Sequence, residues 1–121
     1  MRAELAGLLH AGVPPRGVRL TVRELLVTRF ERGPLGAREI EDAVGDAVRA
    51  ACRLVREMGA PAEIVELVCG SALDAVRGHG GESARWLGEA THVAYGVLDE
   101  LARKHTEEPT WRWVATRLPR P

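Results

Sequence analysis

The chain of 121 residues predicts an all-α fold, a single-domain helical bundle of four to five main helices plus a short C-terminal helix. Three observations carry that expectation. Apolar residues recur at spacings of three and four along most of the chain, as on amphipathic helices. No stretch alternates apolar and polar residues with β-branched side chains, so no strand is expected. Hydrophobic residues make up 45% of the chain but aromatics only 4%, so the core must be built from Ala, Val and Leu, which suit closely packed helices.

The elements follow in order. Residues 3–10 predict a short helix, and Gly12-Val-Pro-Pro-Arg-Gly17 predicts the break after it, so residues 1–17 are expected to be a short helix and a Pro/Gly linker. Thr21 with Glu24 three places on has the form of a capping box. It opens a predicted helix over 22–31, with Leu25, Leu26 and Phe30 as its stripe. Arg32-Gly-Pro-Leu-Gly36 is a turn. Over 37–58, Ile40, Val44, Ala47, Val48, Ala51, Val55 and Met58 form the clearest apolar stripe of the chain. Gly59-Ala60-Pro61 stops that helix and starts the next, which carries Ile64, Val65, Val68, Ala72, Ala75 and Val76 as far as Arg77. After Gly78-His-Gly-Gly81 a long helix runs to about His105, with Leu87, Ala90, Ala94, Val97, Leu98 and Leu101 on one face. Thr110 caps a last predicted helix, Trp111 to Leu118, within a Trp/Arg segment over 106–121.

The three long helices share a pattern: Gly45-Asp-Ala47, Gly70-Ser-Ala72 and Gly88-Glu-Ala90, each followed by further small residues. Their spacing is irregular, so they do not form a solenoid. A mid-helix Gly costs about 1 kcal/mol relative to Ala. Close approach of neighbouring helices through small side chains is the expectation that accounts for all three.

Net charge is zero, yet unevenly spread. Residues 1–38 carry seven Arg against three Glu, and residues 39–81 carry four Arg against eight acids. The expectation is that these two parts of one fold attract each other. A dominant basic field of the kind that steers nucleic-acid binding is absent from the sequence. The preference for Arg over Lys, with abundant Ala, Gly and Val, has the composition of a GC-rich bacterial coding sequence. Cys52 and Cys69 lack any CxxC spacing, and no apolar run approaches the ~20 residues of a membrane span. A cytoplasmic protein with free thiols, away from membranes, is expected.

Several residues are candidates for function. Glu89 and His92 lie three apart on a predicted helix, so both could reach one ligand or metal ion. Di-iron bundles use such a Glu-x-x-His pair twice, with further Glu on other helices. Here it occurs once, and the equivalent positions elsewhere are Asp46 with Arg49 and Ser71 with Asp74. Tyr95 and Asp99 extend the same predicted flank. His92-Val-Ala-Tyr95-Gly96 resembles the His-x-x-Lys-Gly of phosphotransfer domains, but Tyr95 stands where the Lys that holds the phosphoryl group would be. Cys52 and Cys69 flank the Gly59-Ala60-Pro61 turn and read as two small buried hydrophobes rather than a redox pair. Residues 16–46 have the outline of a helix-turn-helix, and Ile40/Val44 resembles the spacing of its second helix. That helix, however, carries Glu39, Glu41, Asp42 and Asp46, which an anionic groove would repel. Trp111, Arg112, Trp113 and Arg117 make an aromatic and basic surface expected to dock on the bundle or on a partner.

These readings rank as follows. A non-enzymatic oligomerisation or protein-interaction module comes first, as a homo-oligomer or with a protein partner. A DNA-binding regulator using residues 16–46 comes second, disfavoured by its carboxylates. A metal or small-molecule site centred on Glu89 and His92 comes third. No cofactor and no catalytic residue is predicted, because no nucleophile–base set or phosphate-cradling loop is present in the sequence.

Overall fold

A computed structural model describes residues 1–33, 36–78 and 83–104. Among these residues there are five helices and no strand: α1 (Arg2–His10), α2 (Pro15–Phe30), α3 (Ala37–Met58), α4 (Glu63–Arg77) and α5 (Ser83–Lys104). The all-α bundle expected from the periodicity is the observed architecture. The helix expected over Trp111–Leu118 lies outside the described residues.

One helix start is corrected. α2 begins at Pro15, six residues before the expected cap at Thr21. Thr21 sits inside the helix, and its hydroxyl donates to the Gly17 carbonyl at 2.9 Å, one turn back. The prolines do mark the break, but Pro15 belongs to the first turn, where its missing N–H costs nothing. The buried stripe is Val18, Val22, Leu26 and Phe30, and Leu25 is only half-buried. α3 ends at Gly59, whose φ of 67° is left-handed, the region that favours glycine.

Residue pairings fix the helix directions. Arg19 on α2 lies against Gly70 and Asp74 on α4, and Arg23 reaches Gly78 at the end of α4. α2 and α4 are therefore adjacent and parallel. Gly45 on α3 faces Val93 on α5, and Glu41 lines the same groove as Glu89, one turn back on both helices. α3 and α5 are parallel as well. α4 packs against α2, α3 and α5, and returns the chain between the two parallel partners. α1 lies over the end where α3 finishes, tied there by an Arg2–Glu57 ion pair.

The core is small and aliphatic. Leu5, Leu26, Ile40, Val44, Val48, Val65, Val68, Val76 and Leu98 are fully enclosed. Burying a Val or Leu side chain contributes about 1.5–3 kcal/mol.

The shared glycine pattern divides. Gly70 lies beneath the Arg19 guanidinium, and a Cβ there would sit 3.3 Å from Arg19 Nη1. Next to it Ser71 is fully buried, and its hydroxyl sits between the carbonyls of Leu67 (2.9 Å) and Arg19 (3.1 Å). Gly45 is buried at the α3–α5 contact. Gly88 is exposed, with open space where a Cβ would be. At the first two glycines an added Cβ would meet the end of an Arg side chain, and at Gly88 nothing among the described residues lies within reach, so close helix approach does not account for Gly88.

The uneven charge is accounted for within the fold. Arg2 pairs with Glu57, Arg19 with Asp74 at 2.8 Å, and Arg29 with Asp46 at 3.3 Å. Each pair joins the basic first third to the acidic middle.

Candidate functional site

Among the described residues, two surface features collect polar or exposed side chains. The first is a shallow groove of about 350 Å³ between α3 and α5. Its walls are Glu41 and Arg49 on α3 and Glu89, His92, Gly96 and Glu100 on α5, over Val93 and Val97. Gly45 lies at the floor of this seam, where an added Cβ would stand 3.8 Å from Val93 and 3.0 Å from the end of the Arg49 side chain. Arg49 spans the groove to Glu100 at 3.9 Å.

The structure brings Glu89 and His92 to one wall, as their spacing predicts. Asp99 and Tyr95 do not join them. Asp99 is turned to solvent and paired with Arg103 one turn on. Tyr95 is half-buried and packs against the hydrophobic core. The wall follows positions 89, 92, 96 and 100 instead, which lie along one side of the helix. His92 itself is exposed. Among the described residues no three His, Cys, Asp or Glu side chains come together to hold a metal ion. The groove presents three carboxylates, a guanidinium and an imidazole, a hydrogen-bonding surface without an enclosed centre.

The second feature was not anticipated from the sequence. A notch of about 490 Å³ opens between α1 and the last turns of α3. Ala3, Ala6, Leu54 and Met58 give it a mainly apolar lining, and Arg2, Glu57 and His10 form its charged edge. Met58 is 38% exposed, one of two large hydrophobes left open to solvent among the described residues, with Leu20. The signal was present: Met58 continues the α3 stripe to the last residue of the helix. What the sequence did not supply was the position of α1, which leaves the end of that stripe as a wall and not as core.

The two thiols are buried, and neither is in a disulfide. Burial pushes the Cys52 thiol up to about 12. Cys69 is raised further by burial, with Cys52 and Glu66 beside it adding to the effect. Both therefore carry their protons at neutral pH, the inert state of a thiol.

The helix-turn-helix outline does not assemble. α2 packs chiefly on α4 and shares little contact with α3. The apolar face of α3 with Ile40 and Val44 is buried, so Glu39, Glu41, Asp42 and Asp46 form its open side. No described helix is long and apolar enough to cross a membrane. Trp111, Arg112, Trp113 and Arg117 lie outside the described residues.

No family model, curated protein or solved structure matches this chain.

Proposed function

We propose that this chain is a non-enzymatic helical interaction module that self-associates or holds a protein partner, with the notch between α1 and α3 as its contact surface. One observation supports the reading. The notch combines an apolar lining, an exposed Met58 and a charged edge of Arg2, Glu57 and His10. An apolar centre within a polar rim is the composition of a protein–protein contact. Methionine, unbranched and polarisable, adapts its shape to a partner. The ion pairs of Arg2, Arg19 and Arg29 with acids of their own chain argue against a nucleic-acid footprint on α2 and α3.

The test is native mass spectrometry of the untagged chain beside its Met58→Glu variant. The unaltered chain is expected to carry the added mass of a second copy or a protein partner. Met58→Glu is expected to lose that mass and keep its helical circular dichroism. A single chain carrying a stoichiometric metal or small molecule would overturn the reading and move attention to Glu89 and His92.

A further inference from the structure

α2 is an outer helix. It packs on α4, with smaller contacts to α1 and α3. Val18, Val22 and Leu26 take its buried side. Leu20 is two residues from both Val18 and Val22, so it falls on the opposite side of the helix. It is 51% exposed, and it has no part in the notch between α1 and α3.

Arg16 and Glu24 stand one turn before and one turn after Leu20, and both are exposed. Neither side chain forms an ion pair or hydrogen bond with a described residue. The arginines on the packed flanks of α2 are matched instead, Arg19 by Asp74 and Arg29 by Asp46. A cation, a leucine and an anion at successive turns make a self-complementary set. When a second α2 runs antiparallel about a twofold axis at Leu20, Arg16 of each copy comes level with Glu24 of the other. Leu20 then meets Leu20, and the half-buried Val13 comes level with Val27. In a parallel pair Arg16 would face Arg16 and Glu24 would face Glu24. The charges therefore select the antiparallel arrangement.

We infer that the outer face of α2 seats a second copy of this chain, Leu20 against Leu20, between two Arg16–Glu24 ion pairs. The same patch serves both copies, so the contact closes as a dimer. α2 has 16 residues, about 24 Å of helix. One helix face lies at the small end of specific interfaces, so the dimer forms in a concentration-dependent way. The face shares no residue with the notch, and the inference goes beyond the reading of that surface.

The test is native mass spectrometry of the unaltered chain, of Arg16→Glu, of Glu24→Arg and of an equimolar mixture of the two variants. Circular dichroism checks that each stays helical, as exposed positions allow. The unaltered chain is expected to dimerise as its concentration rises. Each variant alone sets like charges against each other in both contacts and is expected to weaken the dimer by about tenfold or more. Mixing the two variants restores opposite charges at both contacts. The heterodimer, whose mass differs from that of either homodimer, is then expected to prevail. A chain that stays monomeric at every concentration, a dimer indifferent to both variants, or a mixture without heterodimer would each overturn the inference. Two further variants separate this face from the notch. A dimer that survives Met58→Glu and is lost in Leu20→Glu belongs to α2. The reverse pattern assigns it to the notch and sinks this inference alone, whereas a Leu20-dependent dimer with no mass removed by Met58→Glu sinks the notch reading alone.

Discussion

The hydroxyl of Ser71 on α4 lies 3.1 Å from the backbone carbonyl of Arg19 on α2. Contact between a side-chain oxygen and the neighbouring backbone requires the helices to be close, and Gly70 beside it allows the Arg19 guanidinium to fold over α4 to Asp74.

Bulk is therefore expected to cost more at this crossing than charge. Ser71 is fully buried, so Ser71→Val should destabilise by about 1–3 kcal/mol through overpacking. Arg19 and Asp74 are partly exposed, so Asp74→Asn should cost less than about 1 kcal/mol. Urea unfolding of the two variants checks the order, and a reversed order would deny the close approach.

Thr21→Ala separates the capping reading from the observed helix. A lost N-cap costs about 1 kcal/mol. A mid-helix hydroxyl bonded back to Gly17 contributes far less, and Ala is the better helix former. Unfolding free energy is expected to change by less than about 0.5 kcal/mol, the range of ordinary surface substitutions. A loss of a full kilocalorie would restore the cap.

The glycines should respond differently. Gly88→Ala meets open space and is expected to stabilise by about 0.5–1 kcal/mol through helix propensity. Gly45→Leu drives bulk into Val93 and Arg49 and is expected to destabilise. Thermal melts decide, and equal behaviour would remove the distinction between seam and surface.

Alkaline pH should weaken the fold through its thiols. In the unfolded chain a thiol ionises near pH 8.5. Burial holds Cys52 protonated to about 12 and Cys69 beyond that, so above roughly pH 9 the unfolded state sheds protons that the folded state keeps. Stability then falls as pH rises, by up to about 1.4 kcal/mol per pH unit for each thiol. Replacing Cys52 and Cys69 by Ala should flatten that slope between pH 9 and 10. An unchanged slope would show that other groups set it.

Much of the fold was legible because it is local. The stripe from Ile40 to Met58 and the Gly59 stop place α3 at its observed bounds. α2 was read short because Pro14-Pro15 signals a break, and that signal does not say on which side of it the helix begins. For the site, the spacing of Glu89 and His92 puts them on one wall. That Glu41 and Arg49 stand opposite, and that Tyr95 turns inward, depends on the register of α5 against α3. Such a register is set by packing between distant segments and leaves no local trace. The ion pairs of the first third were legible as a charge asymmetry but not as partners.

The two parallel pairs, α2 with α4 and α3 with α5, also govern the order of assembly. Neither pair can close as a hairpin. Arg19 and Ser71 are 52 residues apart, and Gly45 waits a similar length of chain for Val93. Each contact carries the loop-closure entropy of that separation, so the bundle should fold more slowly than one zipped from adjacent helices. During synthesis α3 emerges before either α4 or α5 is available to cover its Ile40–Ala51 face, and a chain halted before residue 63 would present that face to any binder of apolar helices.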